Sequence, residues 1–234
     1  MNIENRKKLL NYLLEMKKDN KINDELDKKK KESLDNFNRN DWLWHEFIVS
    51  ISTWGNAKRA QKLLKNETLY NNIKYDNIKK LSYDEIKDII KKTIKEAKIG
   101  VRNISPEKKA DLLFKNFILL QDMGGCEIVS RFLLNIKGKK SKILFLSLFN
   151  GISEKYARNI FMDIYHEEFR NSIAVDERIK KILNFLEIPD NIQYEEKENI
   201  LLAIAEESGF EPWELDRYIF SKINEIKNDI LKKE

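Results

Sequence analysis

The chain has 234 residues, 44 of them lysine or arginine and 39 aspartate or glutamate, for a net charge of +5, with 41% hydrophobic residues and one cysteine, Cys126. That hydrophobic content excludes a disordered chain, and the longest apolar runs, such as ILFLSLF at 143–149, are too short to span a bilayer. A single cysteine excludes an intramolecular disulfide and any cysteine-only metal or iron–sulfur site, and with His45 and His166 the only histidines, no zinc site is expected.

The amino-terminal MNIENRKKLL is basic but lacks a following apolar core and small-residue cleavage site, so no secretory signal is expected. The chain reads as a soluble, cytoplasmic monomer without a membrane partner. Its positive excess permits nucleic-acid binding without requiring it. Runs such as DKKKK (27–31) and KGKK (137–140) equally suit a solvated surface.

Leu9, Leu10 and Leu13 line one face of an opening helix. The stretch 18–40 is charged, asparagine-rich and poor in apolar residues, and reads as a loop or linker. Trp42 to Ile51 resumes an apolar helix. Ser82 to Glu85 spells a capping box, followed by Ile86, Ile89, Ile90, Ile94 and Ala97 at helical spacing. Ser105-Pro106-Glu107 is a second helix start, with proline at the first helical position and a face of Ala110, Leu113, Phe114, Phe117 and Ile118. Gly124-Gly125 breaks the chain before a helix through Ile128, Val129, Phe132 and Leu133.

Ile179, Ile182, Leu183 and Leu186 again share a face, and Ile188-Pro189 ends that helix. The segment 195–208 carries Ile200, Leu201 and Ile204, with Gly209 as its C-terminal cap. Glu211-Pro212 opens a last helix through Leu215, Ile219, Ile223 and Ile226. No segment alternates with a period of two and no solenoid-length repeat is present, so the pattern predicts an all-α protein of about ten short helices.

Between these lies a unit with chemical content. Lys142–Phe149 predicts a short helix, Asn150-Gly151-Ile152 a tight turn, and Ser153 the N-cap of a helix burying Ala157, Ile160, Phe161 and Ile164. This is a helix–hairpin–helix. Backbone N–H groups of Asn150, Gly151, Ile152 and Ser153 beside a helix N-terminus suit a phosphate, and such a unit holds the DNA backbone without reading sequence. Lys155 stands in the first turn of the second helix. An aspartate, Asp176, follows the apolar tripeptide Ile173-Ala174-Val175 and precedes the helix through Ile179, where it also suits an N-cap.

The hairpin Phe149-Asn150-Gly151-Ile152-Ser153-Glu154-Lys155-Tyr156-Ala157, followed by Val175-Asp176-Glu177-Arg178-Ile179, resembles the helix–hairpin–helix DNA glycosylase superfamily, which includes endonuclease III and the 8-oxoguanine glycosylases. That family's hairpin runs Leu-Pro-Gly-Val-Gly-x-Lys-x-Ala and its aspartate lies in Val-Asp-x-x-Val/Ile. Here Asn150 replaces the proline and Ser153 the second glycine. Ile51-Ser52-Thr53-Trp54 looks like the helix end that carries the family's DNA-wedging loop. Lys109-Ala110 matches the lysine–alanine pair of a middle helix, and Glu214-Leu215-Asp216-Arg217-Tyr218-Ile219 is similar to the last helix of archaeal-type 8-oxoguanine glycosylases. The likeness covers 42–222 in the family's order, and without the four-cysteine loop this would be a cluster-free member.

The resemblance implies a two-lobed helical bundle with an active-site cleft between the lobes: 1–50 with 177–234 in one, and 51–176, containing the helix–hairpin–helix at 142–165, in the other. It implies a base-excision-repair glycosylase with β-elimination lyase activity on double-stranded DNA carrying a damaged, oxidised base, with no cofactor beyond a monovalent cation at the hairpin. Lys155 would form a Schiff base, which needs its amine uncharged, a condition that burial or a helix N-terminus favours. Asp176 would receive its proton or stabilise the developing cation.

Trp54 suits a wedge or stacking residue, ending an apolar helix before Gly55-Asn56, and equally suits core packing. Lys109, Arg158, Lys108 and Lys137–Lys140 are candidate phosphate contacts or plain surface charges. Three other readings stand beside this one: a monofunctional glycosylase in which Asp176 activates water, a non-catalytic helix–hairpin–helix DNA-binding protein, and an unrelated helical interaction protein.

Overall fold

The computed structural model describes residues 1–54, 57–101 and 104–231; Gly55-Asn56, Arg102-Asn103 and the terminal 232–234 lie outside the described residues. Among the described residues there are fourteen α-helices and no strand, only an isolated bridge pairing Val101 with Ile104. In chain order the helices are α1 (Ile3–Lys18), α2 (Asn20–Phe37), α3 (Trp42–Thr53), α4 (Ala57–Lys65), α5 (Glu67–Asn72), α6 (Tyr75–Ile78) and α7 (Tyr83–Glu96). They continue with α8 (Pro106–Asp122), α9 (Cys126–Asn135), α10 (Lys139–Leu146), α11 (Glu154–Asp163), α12 (Glu177–Phe185), α13 (Tyr194–Ser208) and α14 (Pro212–Ile226). The all-α expectation holds, with more helices than the ten counted from periodicity. Helices α5 and α6, of six and four residues, show too few turns each to be counted by pattern.

The chain forms two compact units, one of residues 1–35 with 161–234, the other of residues 36–160. These boundaries differ from the expected 50/51 and 176/177, and the packing explains why. Helix α3 is buried on nearly all sides, with Trp42, Leu43, Trp44, Phe47, Ile48 and Ile51 against α8 and α9, so it is the central helix of the 36–160 unit. The Trp44 indole N–H donates to the Ile73 carbonyl at 2.7 Å, and its ring meets Phe117 edge-on at 5.8 Å. In the other unit, residues 161–176 are tied to α14: the Trp213 indole donates to the Met162 carbonyl at 2.7 Å.

The expected linker at 18–40 is instead α2. Its stripe runs Ile22, Leu26 and Ser33, and the positions between are filled by the half-buried Lys29 and Lys30. Lys30 lies 4.7 Å from the centre of the Tyr165 ring, and Lys29 reaches the Arg217 carbonyl at 3.4 Å. Lysine stems thus do the packing that an apolar count looks for, while lysine and glutamate favour the helical backbone.

Other starts and stops follow local chemistry. Ser82 and Glu85 form the expected capping box, Ser105 caps α8, and Gly209 ends α13 in the left-handed conformation. Helix α12 stops before the expected Ile188-Pro189: Glu187 turns left-handed at φ 55°, and the Ile188 amide bonds back to Leu183 at 3.0 Å. Helix α10 begins three residues earlier than expected, directly after Gly138. On α9 the buried stripe is Cys126, Val129, Ser130 and Leu133, and the apolar Ile128 and Phe132 face outward one residue round the helix.

Candidate active site

The helix–hairpin–helix is formed by α10, the turn at 147–153 and α11. Ala157, Ile160, Phe161 and Ile164 are all fully buried, as the spacing predicts. Gly151 adopts φ +78°, where a side chain is strained, and a Cβ there would crowd the Leu112 side chain at 3.1 Å. The Ile152 amide closes the turn on the Phe149 carbonyl at 3.1 Å.

Where the family pattern has proline, Asn150 is held by a partner the sequence reading missed. The fully buried Asn116 accepts from the Asn150 amide at 2.6 Å and from its side-chain nitrogen at 3.1 Å, and donates to its carbonyl at 2.9 Å. Proline fixes a turn through its ring, whereas here a buried amide fixes it by hydrogen bonds. The available signal was an asparagine between the inward-facing Leu113, Phe117 and Leu120 of α8.

Three DNA-contact expectations meet other partners in the structure, the first being the Asn150 amide, which Asn116 already engages. Ile152 is buried at the side chain and its amide is already engaged, so it offers a ligand neither. Lys109 is buried, and its ammonium donates to the Ser52 and Trp54 carbonyls at 3.0 and 2.6 Å. It caps the C-terminal end of α3, where a cation meets the negative end of the helix dipole, instead of meeting solvent. Among the described residues neither the Gly151 nor the Ser153 amide donates a hydrogen bond, and Ser153 is exposed.

Lys155 is the second residue of α11 and half-buried, its ammonium 5.8 Å from the centre of the Tyr156 ring. The Tyr156 ring meets Trp54 edge-on at 6.5 Å, and burial raises the Tyr156 phenol above its ordinary value. Trp54 therefore packs on the hairpin, beside Gly151 and the residue after Lys155. Arg158 lies half-buried on the same helix.

Asp176 belongs to the other unit. It is the N-cap of α12: one carboxylate oxygen accepts from the Arg178 and Ile179 amides at 2.8 and 3.0 Å, the other from the Arg178 guanidinium at 2.8 Å. Arg178 in turn lies over Phe220, 4.0 Å from the ring centre. Before Asp176 the chain belongs to no helix and is held by side chains. The Ile173 amide donates to Glu198 at 3.0 Å, the Ala174 amide to Asp216 at 2.9 Å and the Val175 amide to the Tyr194 hydroxyl at 3.1 Å. Asp216 is buried, and desolvation pushes its carboxyl from 3.8 up to about 6, against the opposing pull of Arg217. The sequence gives no signal for Tyr194 or Glu198. Among the described residues no group of histidine, cysteine and carboxylate side chains could hold a metal ion.

The described residues contain helices and no strand, with a lysine in the first turn of the hairpin's second helix and an aspartate capping α12, and these define an all-α helix–hairpin–helix fold. Solved structures narrow that fold further. The Methanocaldococcus jannaschii 8-oxoguanine glycosylase/lyase in complex with DNA containing 8-oxoguanine superposes with a TM-score of 0.69 at 21% identity, over 96% of this chain and 99% of that one. A second structure of the Methanocaldococcus jannaschii 8-oxoguanine DNA glycosylase gives 0.65 at 22%, over 91% and 92%. The 8-oxoguanine DNA glycosylase of Thermotoga maritima gives 0.67 at 17%, over 92% and 95%. No protein-family model and no curated protein matches the sequence. This chain has the fold of the 8-oxoguanine DNA glycosylases over nearly its whole length.

Proposed function

We propose that this protein is a base-excision DNA glycosylase with an associated lyase activity, acting on double-stranded DNA that carries an oxidised base, 8-oxoguanine first among candidates. The observation that carries the reading is the hairpin Lys155, at the start of α11, followed in the chain by the helix-capping Asp176, within a fold shared end to end with 8-oxoguanine glycosylases.

The chemistry follows from those groups. The target nucleotide is rotated out of the duplex, because a stacked base is inaccessible. The Lys155 amine bonds to the anomeric carbon as the base–sugar bond breaks, and the base leaves with its electron pair. Asp176 takes the proton the amine gives up and offsets positive charge developing on the sugar. The resulting Schiff base permits β-elimination of the 3′ phosphate. Gly151 and Ser153 amides, with the start of α11, receive a backbone phosphate, and Arg158 adds charge. The reaction uses no cofactor.

Borohydride trapping tests this. Wild type and Lys155→Gln are mixed with duplexes carrying 8-oxoguanine, thymine glycol, uracil or an abasic site. Wild type is expected to form a covalent adduct, best with 8-oxoguanine, and the variant none. Base release without an adduct would replace the lyase by a water-activating enzyme dependent on Asp176. Neither release nor adduct on any duplex would sink the enzymatic reading.

A further inference from the structure

The segment that delivers Asp176 is unusual in how its backbone is satisfied. Residues 173–175 belong to no helix, yet three successive amides donate to three different side chains: Ile173 to Glu198, Ala174 to Asp216 and Val175 to Tyr194. The Tyr194 hydroxyl also donates to the Ile173 carbonyl at 3.2 Å, so one phenol clamps the strap from both sides. The Asp176 amide folds back on the Ala174 carbonyl at 2.8 Å. The anchors come from two helices, α13 and α14, each packed in this unit's core.

The choice of anchor at 216 is costly. Asp216 is 7% exposed, and a carboxyl at such a place is disfavoured relative to a neutral group. Arg217, 3.4 Å away through Nε, is its ion-pair partner among the described residues and is shared with Asp163, bonded at 2.6 Å. Fixing an irregular segment by several side chains on rigid helices is how a reacting group is kept in place.

We propose that Asp216 and Tyr194 are positioning residues, holding the 173–175 strap so that the Asp176 carboxylate meets the reacting sugar in one orientation. They act through Asp176 and touch no substrate. This inference rests on the glycosylase reading above. Misplacing a reacting group by about 1 Å costs on the order of 100-fold in rate, so loosening the strap acts on the chemical step while leaving DNA binding alone.

Single-turnover excision from an 8-oxoguanine duplex is compared for wild type, Tyr194→Phe, Asp216→Ala and Asp216→Asn, beside lesion-DNA affinity, thermal unfolding and amide exchange at 173–175. Tyr194→Phe keeps the ring and loses only the hydroxyl, so it serves if Asp216→Ala does not fold. The expected result is a fall of about tenfold or more in the single-turnover rate for Tyr194→Phe and Asp216→Ala, with affinity changed less than about twofold and faster exchange at 173–175. Asp216→Asn, which keeps an acceptor for the Ala174 amide, restores most of the rate. Unchanged rates in an active background overturn the positioning role and leave the glycosylase reading standing, as does a loss that merely tracks unfolded protein. A wild type that excises nothing overturns both, and is recognised by failing before any variant is made.

Discussion

Lys109 shows how a single side chain misleads at the sequence level. Its setting, SPEKKADLL, reads as a charged helix start, and the neighbouring Lys108 is indeed exposed. One position further round, Lys109 points inward and bonds two carbonyls at the end of α3. Lys109→Met is therefore expected to lower stability by about 2 kcal/mol, because two carbonyls lose a charged donor, while leaving the salt dependence of DNA binding unchanged. Urea unfolding and a salt titration of affinity check both. A phosphate-contacting lysine would give the opposite pattern, with stability intact and the salt slope reduced by about one.

At the scale of elements, the hairpin depends on α8 as much as on its own helices. Asn116 supplies all three hydrogen bonds that fix Asn150. Asn116→Ala leaves the Asn150 N–H and carbonyl without their buried partner, at an expected cost of about 2–4 kcal/mol. The turn should loosen with it, so amide exchange at 149–153 is expected to quicken and affinity for undamaged duplex to fall. A variant whose hairpin amides exchange at the wild-type rate would show that the turn holds without Asn116. Helix α2 teaches the complementary lesson: its seam is built partly from the stems of Lys29 and Lys30, so a count of apolar residues misses it.

At the scale of the molecule, the two units carry buried titrating groups of opposite sense. In the 36–160 unit, burial and the Arg39 charge lower His45 from 6.5 to about 3, with Nδ1 2.6 Å from the Tyr70 hydroxyl. The unfolded chain binds this proton first, so His45 adds stability above about 6.5 that is lost as pH falls toward about 3. In the other unit, Asp216 titrates at about 6 instead of 3.8. Here the folded state binds the proton first, so its contribution is present below 3.8 and lost as pH rises to about 6. Each slope approaches about 1.4 kcal/mol per pH unit for one proton. Native-state exchange between those limits should show α3 gaining protection with rising pH from His45. The α14 unit should gain more steeply in Asp216→Asn than in wild type, because the opposing slope is gone. Identical pH profiles for wild type and Asp216→Asn would place Asp216 among ordinary exposed carboxylates.

The sequence by itself determined what is local. The capping box at Ser82, the proline starts, the Gly151 turn, the stripe of α11 and the N-cap role of Asp176 are all set within a few residues of chain, where hydrogen bonds and periodicity decide. The helical class and the hairpin that carries Lys155 follow from those. Tertiary structure decided what depends on residues far apart in the chain. It decided which side of α9 is inside, that α3 belongs with 36–160, that Asn116 holds Asn150, that Lys109 caps α3, and that Tyr194, Glu198 and Asp216 hold the strap before Asp176. The physical reason is common to all five. Each is a matter of burial or of a hydrogen bond between distant segments, and no local pattern encodes which polar group will meet which once the helices pack.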